Sequence, residues 1–168
     1  MKTILFFFSC LLLSTAAMSQ QNPPAEPPYK RFPTVPPFKV LLADSTTWFT
    51  RDDLAKKESL VIMLFSPECD HCQHQTDSIL AHIKEFKQVQ FLLVTVLPFD
   101  RMKKFYDSYG LANYKNIIVG RDQQFLFPGF FQTHSLPVLA FYNRKKELIT
   151  LAEGSMRIDE MLARLKKG

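Results

Sequence analysis

Two cysteines separated by two residues, Cys69 and Cys72, are the side chains of this 168-residue sequence whose types and spacing best fit a chemical role. Such a pair can alternate between a dithiol and a disulfide, and so carry electrons. The preceding residues 60–65 are continuously apolar, and a helical pattern begins at the pair itself. The pair is therefore predicted at the carboxyl end of a buried strand and in the first turn of a helix, where reactive groups of α/β sheets collect.

The two thiols are expected to have different roles. A helix N-terminus carries a partial positive charge and free N–H groups, which stabilise a thiolate at Cys69 and make it the attacking nucleophile. Cys72 shares the apolar stripe of the predicted helix with Ile79 and Phe86. Its sulfur should therefore face inward and stay protonated until it resolves a mixed disulfide on Cys69.

Three side chains beside the pair are expected to tune its redox equilibrium. His71 can donate a hydrogen bond to a Cys69 thiolate and so favour the dithiol. Glu68 and Asp70 repel that thiolate and favour the disulfide. The two effects have opposite signs and similar expected sizes, so these residues alone leave the direction of electron flow open.

Strands and helices alternate through the rest of the sequence. Apolar patterns predict further strands at 38–42, 91–97, 117–119, 138–142 and 147–152, and further helices at 100–109 and 158–165. A brief helix is predicted near Leu54, and another from Asp122 that Pro128 and Gly129 must break or end. The expected core includes Trp48, Phe125, Phe127, Phe130 and Phe131. The pattern predicts an α/β domain with a mixed central sheet and helices on both faces.

The N-terminal residues 1–19 are typical of a secretory signal peptide, since Lys2 precedes a short apolar run that small residues follow. Cleavage is expected after Ser19, with Ala17 as the other site. A retained membrane anchor is the weaker alternative because the run is too short to span a bilayer. The residues around Cys10 do not match a lipobox, so lipid attachment is not expected. Export to the periplasm is the predicted location.

Residues 20–37 contain 7 of the 11 prolines and predict an extended linker before a single folded domain at 38–168. Apolar residues make up 46% of the sequence, which excludes the disordered and collagen-like classes for most of its length. The formal net charge is +5, but the basic residues are dispersed in short groups. Dispersed charge is typical of a solvated surface, so no nucleic-acid partner is expected.

The order of three motifs resembles the thioredoxin fold: the Cys69-Asp70-His71-Cys72 turn, Pro137 immediately before a strand, and Gly154 near the end of the next strand. The additional helix and strand predicted within residues 100–119 resemble the exported TlpA and ResA branch of bacterial thioredoxin-like proteins. The resemblance implies a strand and helix inserted before the proline strand, and a cis proline at Pro137 that lies against the cysteines. It also implies that the backbone of Leu136 pairs with a bound substrate strand.

Four positions depart from the patterns of that family. Glu68 replaces the usual Trp before the first cysteine, and Val138 replaces the usual Thr after the proline. Gln75 occupies the position of a buried Glu in the ResA branch, and Met63 that of a buried Asp in thioredoxins. The changes at Gln75 and Met63 leave no obvious local proton acceptor, so slower turnover or a different target is expected.

The sequence therefore predicts an exported thiol–disulfide oxidoreductase that exchanges electrons with protein thiols and disulfides, acts as a monomer and has no bound cofactor. An upstream redox partner, which can be membrane-bound, is also expected. The preference for a reductase rests on the family resemblance alone. One alternative is a copper carrier that uses Cys69, Cys72 and a histidine such as His74 or His134. The other is a binding module in which the cysteines form a structural disulfide.

Overall fold

A seven-stranded mixed sheet organises residues 26–168, which are the residues that this computed structural model describes. The strands are β1 (Lys39–Leu42), β2 (Trp48–Thr50), β3 (Ser59–Leu64), β4 (Val89–Thr95), β5 (Ile117–Arg121), β6 (Val138–Tyr142) and β7 (Leu148–Glu153). The helices are α1 (Pro28–Arg31), α2 (Asp70–Ala81), α3 (Phe99–Ser108), α4 (Leu126–Phe131) and α5 (Ile158–Leu165). Over the described residues, no helix is both long enough and apolar enough to cross a membrane.

The sheet has the strand order β2-β1-β5-β4-β3-β6-β7, with β3, β4 and β5 parallel to one another. Along β3, Val61 and Met63 belong to one apolar cluster, and Leu60 and Ile62 belong to the other. This alternation follows from the two-residue period of a strand. The cluster on the first face includes residues of α2, α3 and α5, and the cluster on the second includes those of α4. The predicted α/β domain, with a mixed sheet and helices on both faces, is confirmed.

The helix after β3 forms because apolar residues recur every three or four positions along it. Cys72, Thr76 and Ile79 are buried on the side of α2 that faces the sheet. The helix ends at Ala81, earlier than its apolar pattern predicts, and a single 3₁₀ turn follows. Phe86 is nevertheless fully buried in the same cluster. The pattern thus predicts which residues are buried more accurately than where the helix ends.

The extended linker predicted for residues 20–37 is not what the structure shows over residues 26–37. This segment contains α1, and the ring of Tyr29 lies 6.3 Å from that of Phe131 in α4. Val35 is buried, and the backbone of Thr34 bridges to Glu147 beside β7. Apolar side chains between the prolines therefore gain from burial on the domain. The signal peptide and the rest of the predicted linker lie outside the described residues.

The helix expected to start at Asp122 and to stop at Pro128 instead starts later and contains the proline. Pro128 is the third residue of α4, where a backbone N–H would have no acceptor within the helix, so the missing donor costs little. Asp122 is buried before the helix, and its carboxylate accepts hydrogen bonds from the N–H groups of Gln124 at 3.0 Å and Phe127 at 2.9 Å. Asp122 therefore anchors the turn that leads into α4.

The prediction of burial is wrong for two of the five aromatic residues assigned to the core. Trp48 is 39% exposed because β2 is an edge strand, and the ammonium of Lys39 lies 4.1 Å from the centre of its ring. Phe125 is 60% exposed and has a left-handed backbone with φ of 55° just before α4, so it does not follow the helical spacing. The other three, Phe127, Phe130 and Phe131, are buried as predicted.

Candidate active site

The cysteine pair lies where β3 passes into α2. The chain leaves β3 alongside β4, with the N–H of Phe65 bonded to the carbonyl of Val94 at 2.9 Å. A tight turn follows, in which the N–H of Cys69 donates to the carbonyl of Ser66 at 3.1 Å. Cys69 then caps the N-terminus of α2. The predicted position, at the junction of a buried strand and a helix, is confirmed.

Cys69 is partly buried, and its sulfur lies against the first turn of α2. Its Sγ accepts a hydrogen bond from the backbone N–H of Cys72 at 3.4 Å. The carbonyl oxygen of Leu136 lies 4.0 Å from the same sulfur, within reach of a thiol S–H. A helix N-terminus combines a partial positive charge with free N–H donors, so this position stabilises a negatively charged sulfur. Cys69 is only partly buried, so a partner can approach it from solvent.

Cys72 is fully buried in the apolar cluster between α2 and the sheet, together with Ile79 and Phe86. Burial is the largest cause that raises the pKa of its thiol to about 12, and the hydrogen bond with Cys69 also raises it. Both cysteines of the described residues are free thiols. The inward position predicted for Cys72 is thus confirmed, and the resolving role assigned to it stays a prediction.

The three predicted tuning residues all lie at the surface beside the pair. The Glu68 carboxylate forms an ion pair with the guanidinium of Arg101 on α3 at 3.0 Å. Both groups are solvated, so the pair stabilises the fold little, but it reduces the negative charge that Glu68 directs at Cys69. Asp70 lies in the first turn of α2. Over the described residues, no hydrogen bond joins the exposed His71 side chain to Cys69.

The loop before β6 lies directly against Cys69. The peptide bond between Leu136 and Pro137 is cis, and Pro137 is buried. The Pro137 carbonyl accepts a hydrogen bond from the N–H of Gly154 at 2.8 Å, which fastens the loop to the end of β7. Gly154 has a φ of 82°, a conformation that favours glycine. The three motifs that are far apart in the sequence are therefore adjacent in the fold.

The two buried positions that depart from the resembled family hold uncharged side chains. Met63 is fully buried in the core of the sheet. Gln75 is 1% exposed, and its side-chain oxygen accepts a hydrogen bond from the N–H of Met156 at 2.6 Å. Its amide nitrogen lies 3.3 Å from the sulfur of Met161. The Gln75 amide thus links α2 to the start of α5, and unlike a carboxylic acid it cannot take up or release a proton.

Two depressions flank the cysteine pair. An apolar groove of about 210 Å³ runs beside Leu136 and is lined by Leu64, Phe65, Val96, Pro128 and residues 133–135. A wider cleft of about 880 Å³ opens between α2 and α3, next to Glu68. His134 lines the small groove but is exposed, and its backbone N–H donates to the carboxylate of Glu153 at 2.9 Å. A role for the His134 side chain at Cys69 stays a prediction.

Three residues at the site have no signal in the local sequence. Arg101 pairs with Glu68, and Ser155 donates a hydrogen bond from its hydroxyl to the carbonyl of His71 at 3.0 Å. Glu153 holds the loop before Leu136 through two backbone N–H groups. Each contact joins residues at least 18 positions apart. Only the assembled sheet brings such residues together.

Comparisons with solved structures identify the architecture. DsbF from MTB matches 80% of this chain and 98% of its own, with 22% identity and a TM-score of 0.65. A secreted Mycobacterium tuberculosis disulfide oxidoreductase homologous to E. coli DsbE matches 78% of this chain and 96% of its own, with 18% identity and a TM-score of 0.64. A thioredoxin-like protein from Aeropyrum pernix matches 83% of this chain and 92% of its own, with 11% identity and a TM-score of 0.63. The chain has a thioredoxin-like fold. No protein-family model matches the sequence, and neither does any curated protein.

The helix and strand predicted within residues 100–119 are present as α3 and β5, and both precede the proline strand β6. The copper-carrier alternative requires a third ligand beside the two cysteines. No group of three His, Cys, Asp or Glu side chains between residues 26 and 168 is placed to hold a metal ion. The candidate ligands His74 and His134 are both exposed.

Proposed function

We propose that the protein is a thiol–disulfide oxidoreductase that exchanges electrons between Cys69–Cys72 and thiols or disulfides of partner proteins. The observation that carries this proposal is the unequal environment of the two sulfurs. Cys69 is only partly buried at a helix N-terminus, whereas Cys72 is fully buried with a raised pKa. Further support comes from the similar solved structure that is named a disulfide oxidoreductase.

In the reducing direction, the Cys69 thiolate attacks one sulfur of a partner disulfide. A bond forms between Cys69 Sγ and that sulfur, the partner S–S bond breaks, and the released partner sulfur takes up a proton. Cys72 then loses its proton and attacks Cys69 Sγ. The Cys69–Cys72 disulfide forms, and the first partner sulfur leaves with the electron pair of the mixed disulfide. The partner gains two electrons and the protein loses two.

The buried thiol keeps these two steps in order. While Cys72 is protonated, it cannot attack a mixed disulfide quickly, so the partner stays attached long enough to be positioned. Docking of a partner would place its second cysteine and its backbone near Leu136. We infer that the Leu136 backbone and Pro137 receive an extended segment of the partner, and that the apolar groove beside Leu136 accepts one of its side chains.

We also propose that the protein acts as a reductase and that it is exported. The reductase preference rests on the resemblance to the TlpA and ResA branch, and it requires an upstream protein that returns two electrons to the disulfide. Glu68, Asp70 and His71 would set the equilibrium between the two forms. The signal-peptide pattern of residues 1–19 supports export. N-terminal sequencing of the protein from its own cells should find a chain that begins after Ser19 or Ala17, and an uncut chain would contradict export by a cleaved signal.

Catalytic exchange is tested with the full chain and a peptide that contains one disulfide. With a reductant that reacts slowly with the peptide alone, the protein should accelerate reduction. Cys69→Ser should abolish the acceleration, and Cys72→Ser should leave a single covalent capture without turnover. Cys10→Ser is the matched control and should keep full activity. Two results would refute the proposal. One is acceleration that persists in Cys69→Ser. The other is that the unaltered chain accelerates neither the reduction nor the formation of this or any other peptide disulfide.

A further inference from the structure

The segment between β7 and α5 is fastened to the active site by consecutive residues. The N–H of Gly154 donates to the carbonyl of Pro137 at 2.8 Å, and the N–H of Met156 donates to the buried Gln75 side chain at 2.6 Å. Between them, the Ser155 hydroxyl donates to the carbonyl of His71 at 3.0 Å. Both neighbours of Ser155 are therefore held, which fixes its hydroxyl against the turn between the two cysteines.

The carbonyl that Ser155 contacts belongs to the same peptide group as the N–H that contacts the reactive sulfur. The carbonyl of His71 and the N–H of Cys72 are the two ends of one peptide bond. That N–H donates to Cys69 Sγ at 3.4 Å. A donor on the carbonyl oxygen of an amide polarises the amide, and its N–H becomes a stronger donor. The hydroxyl, the peptide group and the sulfur thus form a continuous chain of hydrogen bonds.

We propose that Ser155 is a positioning residue that tunes the redox equilibrium of the cysteine pair through the His71–Cys72 peptide group. The proposal rests on the proposed function only in taking Cys69 as the reactive sulfur. A thiolate is a strong hydrogen-bond acceptor, whereas a neutral sulfur accepts weakly. The chain of hydrogen bonds therefore stabilises the reduced form more than the disulfide, and loss of the hydroxyl moves the equilibrium toward the disulfide.

The size of the effect follows from the strength of the bond that Ser155 reinforces. Cooperative strengthening of a charge-assisted hydrogen bond by about 10–30% corresponds to about a 1.3- to 5-fold change in the equilibrium constant. The measured quantity is a ratio of glutathione concentrations at which half of the protein is oxidised. It is the squared concentration of reduced glutathione divided by the concentration of glutathione disulfide. In Ser155→Ala, this ratio should rise about 1.3- to 5-fold at mildly alkaline pH, where thiolates form.

The test equilibrates the full chain with glutathione buffers and measures the oxidised fraction by alkylation and mass spectrometry. Every variant carries Cys10→Ser so that Cys69 and Cys72 alone report. Ser155→Thr keeps a hydroxyl and should lie closer to the unaltered ratio than Ser155→Ala does. Ser78→Ala is the matched control, because the Ser78 hydroxyl also bonds a carbonyl of α2, that of His74, at 2.8 Å, but that peptide group does not contact Cys69.

An unchanged ratio in Ser155→Ala, or an equal shift in Ser78→Ala, would overturn the inference. So would a shift that Ser155→Thr does not reduce, since the hydroxyl would then not be responsible. Thermal unfolding of each variant shows whether the fold is retained. The equilibrium with glutathione is measurable whether or not the protein acts on partner proteins. Failure of the proposed function, seen as no acceleration of peptide disulfide exchange, is therefore distinct from failure of this inference.

Discussion

The buried thiol of Cys72 leads to a quantitative prediction about its reactivity. Its pKa is raised from the ordinary 9.0 to about 12, chiefly by burial. A rise of about three units lowers the fraction of thiolate at neutral pH about a thousandfold. Cys69→Ser removes the part of this rise in pKa that the Cys69 sulfur causes, but Cys72 remains buried. We therefore expect the pKa of Cys72 to stay above 9.0 in this variant, at a value somewhat below that in the unaltered chain.

The assay is alkylation of Cys72 by a small uncharged reagent in a chain that carries Cys10→Ser and Cys69→Ser. The same chain unfolded in denaturant is its own control. The alkylation rate of the unfolded chain should level off as the pH rises above the ordinary pKa of a thiol. The native rate should be at least about a hundredfold lower at neutral pH and should still rise about tenfold per pH unit above pH 9. A native rate that levels off at the same pH as the unfolded rate would refute the reasoning.

The same titration has a consequence for stability. Because the pKa of Cys72 is higher in the folded chain, its contribution to stability is fully present below about pH 9 and is lost as pH rises toward 12. Between pH 8 and pH 10, this group should lower the free energy of unfolding by about 1.4 kcal/mol. Under reducing conditions, the loss should be absent from Cys72→Ser, which has no thiol to titrate. An equal loss in both chains would contradict the raised pKa.

Two further predictions concern the residues that support the site. A Cβ added at Gly120 would lie 2.5 Å from Cγ2 of Val40. Gly120→Ala should therefore lower the free energy of unfolding by about 1–3 kcal/mol, as measured by denaturant titration. The control Gly129→Ala should not lower it, because nothing lies within 4 Å of the added atom. Equal effects would contradict the close approach of β5 to β1. Glu153→Ala removes the acceptor for the N–H groups of His134 and Ser135, so reduction of a protein disulfide should slow at least about threefold relative to reduction of glutathione disulfide. The control Glu160→Ala should leave this ratio unchanged, and an unchanged ratio in Glu153→Ala would show that the loop needs no such support.

Local patterns predicted the part of the fold that carries the chemistry. The apolar run over 60–65 and the three-to-four spacing after it specify a buried strand and a helix, and both exist because each buries the apolar side that the pattern marks. The helix predicted over 100–109 is present as α3, and Gly110, which follows it, has the left-handed φ of 58° common after a helix end. Periodicity therefore predicted a strand or helix where the burial of that one element's own apolar residues determines whether it forms.

Patterns failed where the outcome depended on residues distant in sequence. Val35 is buried because the chain around it bonds to residues 146–148 beside β7, which no local composition reveals. Pro128 is tolerated because α4 starts only two residues before it, and that start depends on the buried Asp122. The bond from Ser155 to the turn between the cysteines joins residues 84 positions apart. These features follow from the assembled sheet rather than from any one segment.

The central claim, that Cys69 attacks and Cys72 resolves, is tested most directly by covalent trapping. The full chain carrying Cys72→Ser is expressed in its own cells, free thiols are blocked, and disulfide-linked species are isolated and mapped by mass spectrometry. We predict partner peptides linked through their cysteines to Cys69, and none when Cys69→Ser is added. Absence of any linkage at Cys69, or equal trapping through Cys72 in a chain carrying only Cys69→Ser, would contradict the account.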